Sequence, residues 1–261
     1  MSVNTILTET KGAVGILTIN RPQVMNALDI PTILNLETSF AGLEADGTVR
    51  VIVVTGAGDR AFVAGGDIAD LDTRQGLAHY QEFAETIHRV FRRIEVSDKP
   101  TIGAVNGYAL GGGTELLLAL DLRIAADTAK LGLPEITLGL FPGAGGSQRL
   151  IRQVPLCRAK EIMFTGGHIS AAEAVAIGLI NKAVPPASLM EEVMKTADAI
   201  ASRSPLVLKL LKRALRDGAD MPQSAALGHE QAMVSLVFDS ADAHEGCRAF
   251  LEKRAAVFTG S

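Results

Sequence analysis

The 261-residue sequence predicts an α/β fold with a mostly parallel sheet, followed by a C-terminal region that is helical only. Two apolar runs, VRVIVVTG at 49–56 and TIGAV at 101–105, are typical of strands that are buried on both faces. An amphipathic pattern near 75–96 lies between them and predicts a helix. Strands that alternate with helices favour right-handed crossover units, and such units build a parallel sheet.

Local patterns define several further elements. The stretch ILTETKGAVGILTIN, 6–20, predicts two strands joined by a tight turn at its Lys-Gly pair. Asp29 is placed to cap a helix that has a proline in its first turn, where a missing N–H costs little. Ser170 and Ser188 each precede a glutamate by three positions, which predicts two capping boxes. Ser204 precedes a proline and opens another helix. These patterns place an α/β core at 1–200 and a helical region at 201–261.

The composition argues against several classes of protein. A net charge of −4 does not favour a nucleic-acid or anionic membrane surface. Cys157 and Cys247, the two cysteines, form neither a disulfide framework nor a zinc spacing, so we expect a reducing, cytoplasmic location. The start of the chain lacks a signal-peptide pattern, and no apolar run approaches the ~20 residues that cross a bilayer. The five histidines show no metal-ligand spacing, so we expect no metal site.

Two glutamates stand out because each lies among apolar residues. Glu115 begins the apolar half of GYALGGGTELLLALD, 107–121, and Glu135 lies in LGLPEITLG, 131–139. Glu115 is also compatible with a plain structural role, since the first turn of a helix favours a negative charge. If the two segments pack together, however, the carboxylates form a pair suited to proton transfer in a dry cleft. Their spacing alone leaves both interpretations open.

Two glycine-rich turns supply candidate hydrogen-bond donors. Gly111–Gly113 lead into the predicted helix, and AGGDI at 64–68 follows the first buried strand. Backbone N–H groups without a covering side chain can hold a developing oxyanion. Each cluster is equally compatible with a simple tight turn. Asp67, within the second turn, is better placed as a helix N-cap than as a catalytic acid.

Three other motifs point to different chemistry but are incomplete. GAGDRA at 56–61 matches a dinucleotide fingerprint, yet two further glycines follow where a helix is required. GGSQR at 145–149 is similar to a nucleophile elbow but has an arginine in place of the last glycine. GAGG at 143–146 is followed by no Lys-Ser or Lys-Thr, so it is not a phosphate loop.

Taken together, five segments in order resemble the crotonase superfamily, the enoyl-CoA hydratase/isomerase family. They are INRPQVMNAL (19–28), VIVVTGAGDRAFVAGGDI (51–68), KPTIGAVNGYALGGGTELLLALDLRIAAD (99–127), LGLPEITLGLFPGAGGSQRL (131–150) and HEGCRAFLEKRAAVF (244–258). The resemblance covers nearly the whole chain. It implies a spiral of ββα units with C-terminal helices that build a trimer, often paired as a hexamer.

The resemblance also implies residue roles. The amides of Gly66 and Gly112 are expected to bind the thioester oxygen, and Glu115 and Glu135 match the two catalytic acids of the hydratases. Family members that only shift a double bond commonly lack the acid matching Glu115, so having both favours hydration. The residues expected to contact CoA are Val24, Met25, Ala27, Ala64, Asp67 and Ile68, with Phe250 and Lys253 supplied by a neighbouring subunit.

The expected activity is the reversible addition of water to trans-2-enoyl-CoA, as in bacterial hydratases of fatty-acid or phenylacetate breakdown. CoA enters as part of the substrate, and no separate cofactor is expected. Two alternatives remain: another crotonase-type reaction such as isomerisation, and a non-catalytic CoA-ester or RNA-binding homologue. The acidic net charge argues against the RNA-binding role.

Overall fold

The computed structural model describes residues 4–74 and 76–261, which form two β-sheets surrounded by helices. The strands are β1 (Ile6–Lys11), β2 (Val14–Ile19), β3 (Val51–Gly56), β4 (Ala61–Val63), β5 (Thr101–Val105), β6 (Tyr108–Leu110), β7 (Leu122–Ala126), β8 (Lys130–Gly132), β9 (His168–Ser170) and β10 (Lys182–Val184). The α-helices are α1 (Ile30–Ala45), α2 (Ile68–Asp72), α3 (Leu77–Val96), α4 (Gly112–Leu118), α5 (Gly146–Gln153), α6 (Leu156–Thr165), α7 (Ala171–Ala176), α8 (Leu189–Ala201), α9 (Pro205–Gly218), α10 (Gln223–Phe238) and α11 (Ala241–Leu251). Short 3-10 helices span Pro22–Val24, Pro134–Leu138 and Pro186–Ser188.

From β3 to β8, successive strands of the chain alternate between a larger and a smaller sheet. The larger sheet has the order β1-β2-β3-β5-β7-β10 and is parallel except for the β1-β2 hairpin. The smaller sheet has the order β4-β6-β8-β9 and is parallel except for the β8-β9 pair. Strands β3, β5 and β7 are each followed by a strand of the smaller sheet. This repeated step is the spiral of ββα units that the family resemblance implies.

The capping predictions are confirmed with one exception. The Asp29 side chain accepts a hydrogen bond from the Thr32 amide at 2.8 Å, and Ser170 forms a complete capping box with Glu173. Ser204 accepts from the Val207 amide at 3.2 Å and caps α9. The capping box predicted at Ser188 is wrong. Ser188 ends a 3-10 helix and is itself helical, so its hydroxyl cannot cap the helix that follows.

The structure also changes the start of one predicted helix and adds a strand after β3. The helix expected near 75–96 begins at Leu77, and Gln75 lies outside the described residues. The segment after β3 contains β4, a short strand that pairs with β6 and that no sequence pattern predicted. A strand therefore follows GAGDRA where a dinucleotide site requires a helix to begin.

The core has two parts, one on each face of the larger sheet. On one face, Ile52 and Val54 of β3 join an apolar cluster that includes Phe40 of α1 and Phe91 of α3. On the other face, Val51 and Val53 join a second cluster with Val193 and Ala197 of α8. Alternate residues of β3 thus enter opposite clusters, as expected for a strand buried on both sides. Helix α8 belongs to the core although it ends at Ala201, one residue beyond the predicted end of the core at residue 200.

Charged side chains on α9 join the C-terminal helices to this core. Lys212 pairs with Asp121 at 2.6 Å, and Arg213 forms a bidentate contact with Asp98. Large apolar side chains remain exposed on this region, among them Phe238 and Leu251. The boundary near residue 200 stays a prediction. Within the described residues, no helix has the length and apolarity needed to cross a membrane.

A buried arginine fixes the end of α4. The Arg123 guanidinium donates to the carbonyls of Leu117, Leu118 and Leu120 at the end of this helix, and to Leu179 on a neighbouring segment. Burial lowers the pKa of Arg123 to about 10. Its charge is held mainly by carbonyl oxygens, so the side chain joins α4 to the segment that precedes β10.

We expect Arg123→Met to reduce the free energy of unfolding by about 3 kcal/mol or more, since several buried carbonyls lose their donor. The matched control is Arg89→Met, because Arg89 forms a bidentate pair with Glu37 but is 55% exposed. This control should cost less than about 1 kcal/mol. Urea unfolding at one protein concentration measures both changes. Equal losses in the two variants would contradict the anchoring role.

Candidate active site

Three consecutive turns meet at one edge of the smaller sheet. Strands β4, β6 and β8 are parallel neighbours, so the segments that follow them start from the same edge. These segments are 64–67 after β4, 111–115 after β6 and 133–138 after β8. The Gly111 amide donates to the Gly132 carbonyl at 2.9 Å, which joins the second segment to the end of β8. The packing on which the carboxylate pair depends is therefore present.

Glu115 is buried, and its carboxylate is held by main-chain amides. It lies in the first turn of α4 with 3% of its surface exposed. Oε1 accepts hydrogen bonds from the amides of Ala144 at 2.7 Å and Gly146 at 2.8 Å. The sequence led us to expect stabilisation by the start of its own helix. Instead the donors come from residues 144 and 146, at the start of α5. The amide of Glu115 itself donates to the Gly111 carbonyl within its own helix.

Glu135 is positioned differently. It lies in the 3-10 helix Pro134–Leu138, and both of its carboxylate oxygens are buried without a hydrogen-bond partner in the described chain. Its Oε1 packs against Gly111, where a Cβ would lie only 3.1 Å away. Gly111 also has a φ of 50°, so two constraints require a glycine here. An unpartnered buried carboxyl group is free to interact with a bound substrate.

The two acids have raised pKa values for related reasons. Burial raises the pKa of Glu115, although the amides of Gly146 and Ala144 and the charge of Arg149 act in the opposite direction. Burial also raises the pKa of Glu135 to about 7, and the nearby charge of Glu115 contributes to this increase. Glu135 therefore exchanges its proton near neutral pH, which suits a general acid or base.

The two predicted oxyanion donors lie side by side. The amides of Gly66 and Gly112 donate to no acceptor within residues 4–74 and 76–261. A Cβ on Gly112 would lie 3.5 Å from the Gly66 nitrogen, so the two backbones approach closely. Next to them, a Cβ on Gly113 would lie 2.0 Å from the Val63 carbonyl oxygen. Glycine at this position allows α4 to pack directly on β4 and brings the two donors together.

The residues expected along the CoA path occupy two adjoining segments. The Ala64 amide donates to Met25 at 3.1 Å, and the Asp67 amide donates to Leu28 at 2.9 Å. Arg21 reinforces this contact, because its guanidinium pairs with Asp67 at 3.0 Å. The structure thus brings the 24–28 segment onto the turn that carries Gly66.

The remaining predicted contacts fall into two groups. Val24 and Ile68 are exposed next to these segments, while the Ala27 carbonyl accepts from Arg21. Asp67 accepts from the Ala69 amide at 3.2 Å and so caps α2, as its sequence position suggested. Their contact with CoA stays a prediction.

Phe250 and Lys253 lie at the far end of the chain. Phe250 is 83% exposed in the last turn of α11, and Lys253 follows that helix with a φ of 55°. Neither side chain forms a hydrogen bond with another described residue. Their predicted role requires a neighbouring subunit, so a single chain does not test it.

Sequence patterns did not reveal the donors to Glu115. The glycine cluster 143–146, at the start of a helix, is the sequence feature that could have indicated these donors. The spacing of its glycines is compatible with several kinds of turn. In the structure Gly145 has a φ of 101°, and a Cβ on Gly146 would lie 2.8 Å from Glu115. Elsewhere in residues 4–74 and 76–261, no group of three His, Cys, Asp or Glu side chains is arranged to hold a metal ion.

Comparison with known proteins identifies the family of this chain. The family model for enoyl-CoA hydratase/isomerase matches residues 9–261. The chain belongs to the enoyl-CoA hydratase/isomerase family. It is 43% identical over 258 residues to the crotonyl-CoA hydratase of Syntrophomonas wolfei, covering 99% of both chains. It is 40% identical over 254 residues to the short-chain-enoyl-CoA hydratase of Clostridium acetobutylicum, covering 97% of both.

The solved structures confirm the fold of this family member. The crystal structure of an enoyl-CoA hydratase from Bacillus anthracis matches with a TM-score of 0.95 and 36% identity, covering 98% of this chain and 100% of that one. A Geobacillus kaustophilus structure titled as an enoyl-CoA hydratase subunit matches with a TM-score of 0.93 and 40% identity, covering 98% of each chain. The predicted family and crotonase-like fold are therefore confirmed, whereas the individual site roles stay predictions.

The raised pKa of Glu135 has a consequence for stability. Because the folded-state pKa of about 7 exceeds the ordinary value, this carboxyl group favours folding at low pH. That contribution is lost as the pH rises through the folded-state pKa. Glutamine has no charge to bury, so Glu135→Gln should gain about 1–2 kcal/mol relative to wild type between about pH 5 and pH 8, after allowing for partial solvent access.

Urea unfolding of both proteins at these two pH values checks this expectation. Glu191→Gln, which removes an exposed carboxylate on α8, is the control and should show no such dependence on pH. A stability difference that does not change with pH would show that Glu135 titrates normally.

Proposed function

We propose that this site catalyses the reversible hydration of short-chain trans-2-enoyl-CoA thioesters to 3-hydroxyacyl-CoA. The predicted hydratase activity is borne out by the full-length relatives at 40–43% identity. Two of these relatives bear the names short-chain-enoyl-CoA hydratase and crotonyl-CoA hydratase, which supports a short acyl chain. The observation that carries the proposal is the convergence of two buried carboxyl groups beside two amides that have no acceptor among the described residues.

In the proposed mechanism, the thioester carbonyl binds to the amides of Gly66 and Gly112. As water attacks C3, the C2–C3 double bond shifts its electrons toward this oxygen and gives an enolate-like state. Each amide donor stabilises the developing negative charge, and removal of such a donor typically costs about 10²–10³-fold in turnover. Close packing of α4 on β4 keeps both donors in position before the substrate arrives.

The two acids then account for the protons. Glu115, whose Oε1 is held by the two amides, accepts a proton from the attacking water while the water oxygen bonds to C3. Glu135, with its pKa near neutrality, donates a proton to C2. Water is thus added in full, and a proton transfer between the two carboxyl groups completes the cycle. Because the pair is electrostatically coupled, its two apparent pKa values belong to the site as a whole.

The proposal extends to assembly and location. CoA is recognised as part of the substrate, and no separate cofactor takes part. The C-terminal helices α9 to α11, with their exposed apolar side chains, form the interface of a trimer or a hexamer. Large apolar surfaces on one chain are typical of such interfaces. We place the enzyme in the cytoplasm, in keeping with its two exposed, unpaired cysteines.

Glu115→Gln and Glu135→Gln should each lower kcat by about 10²–10⁴-fold while CoA-ester binding persists. Glutamine keeps the oxygen that the Ala144 and Gly146 amides bind, so the site should retain its shape. Loss of enone absorbance with crotonyl-CoA measures the hydration, and calorimetry measures the binding. Glu191→Gln, at an exposed position on α8, is the control. Near-normal turnover in both site variants would contradict the paired-acid mechanism, and product formed from a 3-enoyl-CoA instead would favour isomerisation.

We expect Lys253→Met to raise KM for the CoA ester by about tenfold with kcat little changed, since it removes one charge-assisted contact. Lys195→Met, on the exposed face of α8, is the control. Phe250→Ala should act in the same direction through lost packing.

Coexpression of Lys253→Met with Glu115→Gln chains tests whether the contact comes from another subunit. Every site with an intact Glu115 then belongs to a Lys253→Met chain. If a neighbour supplies Lys253, mixed oligomers recover a normal KM. A persistently raised KM would place the contact within one chain.

A further inference from the structure

Arg149 connects the segment that binds Glu115 to helix α3. Its Nη1 donates to the Ala144 carbonyl at 3.0 Å. Its Nε and Nη2 donate to the two carboxylate oxygens of Glu95, each at 3.0 Å. Only 12% of the Arg149 side chain is exposed, so this bidentate pair is largely screened from solvent. The guanidinium thus spans two elements that are distant in sequence.

The Ala144 carbonyl lies between the two amides that bind Glu115. The Ala144 amide precedes this carbonyl in the chain, and the Gly146 amide follows it by one peptide unit. Holding the carbonyl therefore restrains the peptide unit that joins the two donors. Gly145 allows this close approach, because a Cβ there would lie 2.1 Å from the Arg149 Nη1.

We propose that Arg149, fixed by Glu95, is a positioning residue that holds the 144–146 segment and thereby orients the Glu115 carboxylate for reaction. This inference rests on the proposed role of Glu115 as the base. Neither Arg149 nor Glu95 touches the reacting atoms in this scheme. They act through the two amides and through the charge of the guanidinium.

The charges around Glu115 support the same role. Arg149 faces it from α5 and is the cation that lowers its pKa, against the larger effect of burial. Glu135 faces it from the neighbouring 3-10 helix, and the charge of Glu115 helps to raise the pKa of Glu135. Glu95 lies behind Arg149 on α3, where it neutralises the guanidinium. Removing the Arg149 charge should therefore raise the pKa of Glu115 and reduce the amount of its basic form at neutral pH.

An arginine suits this position better than a lysine. Its planar fork reaches both oxygens of Glu95 and still has an N–H for the Ala144 carbonyl. A lysine would keep the positive charge but cannot make all three contacts in this planar geometry. The two substitutions thus separate the electrostatic part of the role from the geometric part.

The experiment compares Arg149→Met and Arg149→Lys with wild type. Arg149→Met should lower kcat by up to about 100-fold and move the acid limb of the kcat/KM profile upward by about one pH unit. Arg149→Lys should lower kcat by about tenfold and leave the limb close to its wild-type position. Product binding should be unchanged in both, since neither variant alters the CoA contacts.

Arg152→Met is the matched control, because Arg152 lies on the same helix, is 56% exposed and pairs with Asp220. It should leave kcat and the pH profile unchanged. A folded Arg149→Met protein with wild-type kcat and pH profile would overturn the proposal. If that variant does not fold, Arg149→Lys decides, and wild-type kcat in this variant would overturn it equally.

A second measurement separates this inference from the proposed function. Carbon-13 NMR of labelled glutamate side chains gives the Glu115 titration directly, assigned by the signal lost in Glu115→Gln. Absence of hydration in wild type would refute the proposed function while this titration still tests Arg149. A Glu115 pKa that is the same in wild type and Arg149→Met would overturn the electrostatic part of the role.

Discussion

The structure of the site depends on the burial of one carboxylate. Glu115 is nearly inaccessible, and a buried charge is costly unless it is hydrogen-bonded. The amides of Ala144 and Gly146 meet that requirement, so the 143–146 segment must fold back over α4. Glycine is needed where this segment touches the carboxylate, because any Cβ on Gly146 would overlap it. One side chain thus fixes the path of the chain into α5.

The two acids differ in their hydrogen-bond partners, and this difference underlies the separate roles that we propose for them. Glu115 has its own donors and keeps a fixed orientation, which is suited to a group that receives a proton from water. Both oxygens of Glu135 lack a hydrogen-bond partner among the described residues, so its neutral form is the less costly one, which suits the proposed role of proton donor. The difference comes from main-chain donors rather than from the distance between the acids. Local backbone geometry therefore supports the roles that we propose for the two acids.

The sequence predicted the elements whose cause is local. The apolar run of β3 required burial on both faces, and Asp29 marked the start of α1. The sequence did not predict the features that depend on contacts between distant segments. Strand β4 is three residues long and exists because β6 pairs with it, and no local pattern indicates that partner. The amide donors to Glu115 were missed because they lie about thirty positions further along the chain. The glycine clusters indicated which turns belong to the site, but they did not show which atoms their amides contact.

The spiral of ββα units explains how distant positions become one site. Each turn of the spiral adds one strand to the smaller sheet, and the next segment leaves from the same edge. The first such segment carries Gly66, the second Gly112 and Glu115, and the third Glu135. Because neighbouring strands are only about 5 Å apart, three consecutive turns bring all four groups close together at one edge of the smaller sheet. Short strands suffice, since they need only set the spacing of the turns. The ββα repeat therefore sets the spacing of these four groups, and the glycines allow the close backbone approaches within each turn.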